Sequence, residues 1–278
     1  MLYQSSVTNN GLQKLAAYPI KEPVRALSAS PDGRKIIAAT ATGNGTVLTS
    51  SEGRMAMASA FKFSGIPRKI SFLDNENFIV LSSRGIWKYK LSDLAHPAVL
   101  NDPALNGVAV GKKGTFYIAS SDRVKIYRNW DELIRDSLLL SQRFDSRVTS
   151  LEVDRNEQYI AAGTYNGYVW INNLNNGYDQ WHRALHLSSV NDLKFASVDN
   201  GKIQLAAASA DQTIKLIDVR SILQKAGKED IITLRGHTKW IYALYYTPDG
   251  QWLFSTSEDD KVIAWKPTMN GLYQALQR

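Results

Sequence analysis

The chain of 278 residues is 44% hydrophobic, 10% aromatic and 21% charged, and it contains no cysteine. That composition is globular rather than disordered, and the missing thiols exclude disulfides, iron–sulfur clusters, thiolate zinc sites and cysteine nucleophiles together. The net charge of +7 sits almost wholly in residues 1–100, where 12 Lys or Arg stand against 6 Asp or Glu, mostly singly; charge scattered this way, without a stripe or stacking aromatics, points away from nucleic acid.

No apolar run reaches the ~18 residues of a membrane span, and the opening MLYQSSV has neither the basic nor the apolar region of a signal peptide. The chain therefore reads as one without membrane insertion, with the cytoplasm as its default compartment, no cofactor and a monomeric state.

The first predicted strand is LQKLAAYPI at 12–20. After it, a unit of about 43 residues recurs: an alternating apolar segment, a polar turn, a second apolar segment, a Gly/Asn/Asp turn and a third segment. Its clearest copies are RKIIAATATGNGTVLTS at 34–50, QYIAAGTYNGYVWIN at 158–172 and QWLFSTSEDDKVIAWK at 251–266. Taking the β-branched residue that opens the third segment as anchor gives Val47, Ile86, Val124, Val169, Ile214 and Val262, at intervals of 39, 38, 45, 45 and 48. The segments are short, rich in Val, Ile, Thr and aromatics, and separated by turn chemistry such as Pro31-Asp32-Gly33, Asn166-Gly167 and Pro248-Asp249-Gly250. A fourth, less regular strand precedes most units, at 12–20, 56–64, 137–144 and 230–236. Two insertions, at Asn129–Ile134 and Ser221–Ala226, carry helix-capping residues and predict helical turns.

Four antiparallel strands per repeat predict an all-β fold: a β-propeller of four-stranded blades, six by count, with seven the alternative if residues 2–7 are a left-over strand. Stacked blades bury each other's faces, which no single sheet does alone. The whole chain is then one domain. Residues 1–23 form a closing strand, predicted to pair with the last blade beside the strand holding Trp265; 24–266 form the six repeats; 267–278 form a tail, read as an outer strand or a short helix.

Residues 236–266, GHTKWIYALYYTPDGQWLFSTSEDDKVIAWK, resemble the WD-repeat (Trp-Asp repeat) family: a Gly-His opening, an apolar strand, a Pro-Asp-Gly turn, a Ser-x-Ser-x-Asp-type segment and a Trp near the end. The resemblance implies a structural tetrad of His237, Ser255, Asp259 and Trp265, with Asp259 accepting from His237 and the network reaching the indole through Ser255. Repeat five keeps His186 and the turn acid Asp211, with Ala207 in place of the Ser, Ile217 in place of the Trp, and Asp218 as the Asp of the Trp-Asp pair. At the Trp position the earlier repeats carry Ser50, Tyr89, Tyr127 and Asn172, and the last pair is Trp265-Lys266 rather than Trp-Asp.

Catalytic patterns are weak. His182 and His186 are four apart, but the repeat puts them on a strand, where that spacing is ~13 Å, too far to share an ion. Glu258-Asp259-Asp260 reads as a turn with one structural acid rather than a glycosidase pair, and no nucleophile elbow or phosphate loop occurs. Trp170, Trp240, Tyr242, Tyr246 and Trp252 read by default as packing between blades, with Trp240 set apart by its place after His237 at the entry to the inner strand. Trp240, Tyr165 and Glu258, with Arg84 and Arg123 in the corresponding turns, are the candidates for partner binding; in the family resembled, the residue before the turn amide or acid faces the partner, and Tyr, Trp and Arg are the residues of interaction hot spots.

The expectation for function is a non-catalytic scaffold that binds a protein or peptide on one loop face, as one module of a larger bacterial protein. The alternatives are a propeller enzyme of hydrolase or lactonase type, with metal-binding carboxylates converging at its centre, and an anionic-ligand binder using the basic first two blades.

Overall fold

The computed structural model describes all residues except 1, 9, 10, 52, 53, 177–179, 199, 200, 225–230, 268–275 and 278; for Leu2–Thr8, Gly11–Ala17 and Leu276–Gln277 it describes the backbone only. The chain is all-β: a propeller of six blades, each a four-stranded antiparallel sheet whose strands follow one another in sequence. A hairpin of β1 (Leu2–Thr8) and β2 (Gly11–Tyr18) comes first. Blade one is β3 (Val24–Ala29), β4 (Lys35–Thr40), β5 (Asn44–Ser51) and β6 (Arg54–Lys62). Blade two is β7 (Pro67–Phe72), β8 (Asn77–Ser82), β9 (Gly85–Lys90) and β10 (Asp93–Asn101). Blade three is β11 (Leu105–Val110), β12 (Phe116–Ser120), β13 (Arg123–Tyr127) and β14 (Leu140–Arg143), with α1 (Trp130–Ile134) inserted. Blade four is β15 (Val148–Val153), β16 (Tyr159–Thr164), β17 (Tyr168–Asn173) and β18 (Gln180–Ala184). Blade five is β19 (Val190–Val198), β20 (Lys202–Ser209), β21 (Thr213–Asp218) and β22 (Ile231–Arg235), with α2 (Val219–Leu223) inserted. Blade six is β23 (Ile241–Tyr246), β24 (Leu253–Ser257), β25 (Val262–Trp265) and β26 (Leu276–Gln277).

Two compact units divide the chain, Met1–Val108 and Ala109–Arg278. Within each, the core lies between consecutive sheets. In the first unit Ile37, Ala39, Val47 and Phe61 of blade one meet Ile70, Phe78, Val80 and Tyr89 of blade two. In the second, Tyr117, Val124 and Phe144 meet Leu151 and Ile160; Ala161, Val169 and Ile171 meet Val190, Leu193 and Leu205; and Ala206, Leu216 and Leu234 meet Leu244, Leu253 and Trp265. The second strands read as unbroken buried runs, as in Tyr159–Thr164, because both of their faces are covered.

Two expectations are corrected. The segment 12–20 does not lie beside the Trp265 strand: β2 pairs with β1 in register Leu2↔Tyr18 to Thr8↔Gly11, and the outer neighbour of β25 is β26. A hairpin partner across a short loop costs far less closure entropy than one at the other end of the chain. The irregular strands at 56–64, 137–144 and 230–236 likewise belong to the sheet of the repeat before them, as β6, β14 and β22, for the same reason of nearest-neighbour pairing. Of the two readings of the tail, Leu276–Gln277 is an outer strand.

Register also corrects the first repeat. Ile160↔Asn172, Leu205↔Ile217 and Leu253↔Trp265 pair four residues before their second strands end, and in blade one that rung is Ile36↔Leu48. Leu48, not Ser50, therefore stands at the Trp position, and Gly45, not Val47, matches Val169, Ile214 and Val262. A Cβ on Gly45 would enter the Phe61 ring, so glycine makes room there for an aromatic side chain from the adjacent strand. Val262 itself is exposed, unlike the five buried anchors.

Helix α1 is capped by Asn129, whose side chain accepts from Glu132 N, as its sequence predicts. For α2 the cap is Asp218, accepting from Arg220 N and Ser221 N, rather than Ser221; the carboxylate is the stronger acceptor. The stop predicted at Gly227 lies outside the described residues.

Candidate functional site

In each blade the second strand turns into the third at the same end of the sheet where the previous blade hands over to the first strand. That end carries the tetrad. In blade six His237 Nδ1 is 3.0 Å from Asp259 Oδ2, His237 Nε2 is 2.7 Å from Ser255 Oγ, and Trp265 Nε1 donates to Ser255 Oγ at 2.8 Å. Because the serine accepts from the indole, its own proton goes to His237 Nε2, which leaves Nδ1–H to donate to the carboxylate. His237, Ser255 and Trp265 are all buried. Burial alone would raise the Asp259 pKa, but the Thr238 and Lys261 amides and the His237 ring outweigh it and bring it down to about 2.

Blade five holds half of this. His186 Nδ1 reaches Asp211 Oδ2 at 3.0 Å, Leu187 N donates to the same oxygen, and Thr213 Oγ1 donates to Asp211 Oδ1 at 2.6 Å. Against the cost of burial, these bonds hold Asp211 well below the usual carboxylate range. Ala207 occupies the serine place, and the buried His186 Nε2 has no hydrogen-bond partner. His182 lies apart from this, stacked on Trp170 with centroids 4.0 Å apart. Among the described residues no three His, Asp or Glu side chains gather as a metal-binding group.

The partner-binding candidates all stand exposed at this turn end. Trp240 is 53% exposed, and its carbonyl accepts from Glu258 N at 3.0 Å, so Trp240 and Glu258 are neighbours on a fixed backbone. Tyr165 is 60% exposed; its amide donates to Arg147 O, and the Arg147 guanidinium lies 5.1 Å from the ring centroid. Arg123 opens β13 beside Asp122. In the first unit Arg84 lines a cleft of about 710 Å³ with Phe63, Ile66, Ser83 and Trp87, and the buried Trp87 Nε1 has no hydrogen-bond partner. Sequence reading missed Leu187, which is 98% exposed immediately after the tetrad His186. Its signal was available: an apolar residue where the last repeat has Thr238.

A second feature was not visible in the sequence. The first strands carry a β-bulge near their start, leaving Arg25, Arg68, Thr149, Asn191 and Tyr242 out of register. Three of these side chains reach the first strand of the next blade: Arg68 Nη1 bonds Leu105 O, Thr149 Oγ1 donates to Val190 O at 2.7 Å, and Asn191 Nδ2 to Ile241 O at 2.8 Å. Bulges re-aim side chains, and here they join blade to blade. Further along the same strands Lys194 Nζ lies 3.3 Å from Glu152 Oε2 and 3.4 Å from Asp192 Oδ1, and the other Asp192 oxygen accepts from Leu244 N.

Comparison with known proteins follows this geometry. The family model described as WD domain, G-beta repeat matches residues 228–266, the blade with the complete tetrad. Nuclear distribution protein PAC1 of Tuber melanosporum is 37% identical over 87 residues, 31% of this chain and 18% of that protein. WD repeat and SOCS box-containing protein 1 of Homo sapiens is 29% identical over 125 residues, 43% of this chain and 28% of that protein. Nuclear distribution protein nudF of Emericella nidulans is 33% identical over 87 residues. The matches thus span less than a third of these relatives' length. Blade architecture, the hydrogen-bonded tetrad and the matched repeat agree: the chain is a six-bladed β-propeller whose last blade is similar to the WD repeat.

Proposed function

We propose that the protein is a non-catalytic scaffold that binds a protein or peptide at the turn end of its blades, with Trp240, Tyr165 and Leu187 as apolar anchors and Arg84, Arg123 and Glu258 as polar ones. The WD-repeat family supports a general protein-interaction role. The observation that carries the finer reading is that three large apolar side chains are 53% or more exposed on backbone that is itself hydrogen-bonded into the tetrad turns. Rigid presentation of aromatics lowers the entropy lost on binding, the condition for a hot spot.

Affinity purification with the wild-type chain and with a Trp240→Ala/Tyr165→Ala variant tests this. Partners recovered by the wild type should fall at least thirtyfold with the double variant at unchanged melting temperature, the loss of a hot spot of about 2 kcal/mol. Equal recovery by both sinks the assignment of these residues.

The enzyme alternative needs free carboxylates that converge. Glu152 and Asp192 do converge, but on the Lys194 ammonium, whose pKa they raise against the cost of its burial; a cation of the chain's own already compensates them. One observation favours the anionic-ligand alternative as a second mode: the cleft lined by the exposed Arg84, whose guanidinium supplies donors and positive charge. Arg84→Glu should abolish that mode, and its affinity should fall steeply with salt; peptide binding indifferent to both counts against it.

A further inference from the structure

The rung four residues before the end of each second strand is where the blades place their largest buried side chains. Leu48, Tyr89, Tyr127, Ile217 and Trp265 stand there in blades one, two, three, five and six, each no more than 2% exposed. Each fills the space beside its sheet, and the two tyrosines find hydroxyl partners in Lys62 O and Asp136 Oδ1. Blade four alone breaks the rule, with Asn172 opposite Ile160.

The other tetrad places of blade four are also reduced. By the same register Phe144 stands where blade six has His237, Ala162 where it has Ser255, and Asn166 where it has Asp259. What results is a cavity of about 630 Å³ in the second unit, lined by Phe144, Ala162, Trp170, Asn172, Leu174 and Ser141 among others. Aromatic and aliphatic side chains make most of its walls, with Gln142, Arg143, Asn173 and Gln180 as further polar members; the Phe144 ring meets Trp170 edge-on at 5.1 Å, and Trp170 is backed by His182. Two of its lining residues carry a buried polar atom without a partner, Ser141 Oγ and Asn172 Oδ1, while Asn172 Nδ2 is fixed on Gln142 Oε1 at 2.9 Å. Leaving such atoms unmet costs stability that a bound partner would restore. A space of this size, walled mostly by apolar side chains with several polar ones placed among them, is the general form of a small-molecule site.

We propose that this cavity binds a small planar aromatic molecule carrying an N–H or O–H donor, of the size of an indole. Its ring takes the space that an indole fills in blade six; its donor meets Asn172 Oδ1, and Ser141 Oγ receives or supplies a second bond at the ring edge. The site lies between sheets, apart from the exposed turn residues proposed for protein binding, so either assignment can fail without the other.

Indole is the probe, and indene, of the same shape without the N–H, is its control, both titrated against the full chain by calorimetry. Indole should bind with sub-millimolar Kd and at least tenfold more tightly than indene. Asn172→Trp, which puts an indole into the space covalently, should melt no lower than the wild type and lose indole binding at least tenfold; Ser141→Ala, which leaves the cavity open, should weaken it three- to tenfold. No binding of indole by the wild-type chain, equal affinity for indene, undiminished binding by folded Asn172→Trp, or undiminished binding by Ser141→Ala each overturns the proposal.

Discussion

Blades five and six share a fold, a histidine at the entry to the first strand and an aspartate in the turn that accepts its hydrogen bond. They differ at two side chains. In blade six Ser255 links His237 to the Trp265 indole, so every buried nitrogen and oxygen of the tetrad is bonded; in blade five Ala207 and Ile217 leave His186 Nε2 buried and unmet. Blade five nonetheless packs as well, since Ala207 and Ile217 are both fully buried against their neighbours. Close packing therefore makes the blade, and the tetrad fixes the turn at its end.

Three measurements sharpen that contrast. The largest effect belongs to Trp265→Ala, which removes the biggest buried side chain of blade six and takes from the Ser255 oxygen its indole donor; chemical denaturation should show a loss of about 3–5 kcal/mol, whereas Ile217→Ala at the matching rung of blade five should cost about 2–4 kcal/mol. Next come two serine exchanges of opposite sign. Ser255→Ala should cost about 1–3 kcal/mol by orphaning both His237 Nε2 and the indole N–H, and Ala207→Ser should gain about 1 by giving His186 Nε2 its donor. If Ala207→Ser destabilises, the register match between the blades is mistaken.

The smallest effect is acid sensitivity. The Asp259 carboxyl is depressed in the folded chain, to about 2 from an ordinary 3.8, and Asp211 is depressed too. The stability they contribute is therefore complete above pH 4 and is lost as pH falls toward 2. Asp259→Asn should flatten the fall of melting temperature over that window, and a titration unchanged by the substitution contradicts the bonding described.

Much of this was legible in the sequence. The six repeats, the turn residues and the last tetrad are local patterns, written in period-two alternation and in fixed spacings from Asp259. Three kinds of feature were not. Long-range pairing is not spaced, so the partner of Gly11–Tyr18 could not be counted out, and a local hairpin won. The third strand of the first repeat opens with Asn44-Gly45, so an anchor chosen for β-branching fell on Val47, two residues late, and put Ser50 in the place that Leu48 occupies. The bulges depend on how adjacent first strands meet, which no single repeat records. Where Leu187 stands, the sequence did carry a signal, an apolar residue in a polar turn.

The bulge contacts bear on how such a chain could lengthen. Asn191 supplies a donor to the following blade, and its neighbour Val190 supplies the acceptor for the preceding one. Each repeat of this kind thus carries both halves of a head-to-tail joint on consecutive residues. A duplicated repeat would arrive with its own plug and socket, and insertion between blades four and five or five and six would break one joint and restore two. Gene duplication could then alter blade number without a compensating mutation at the seams.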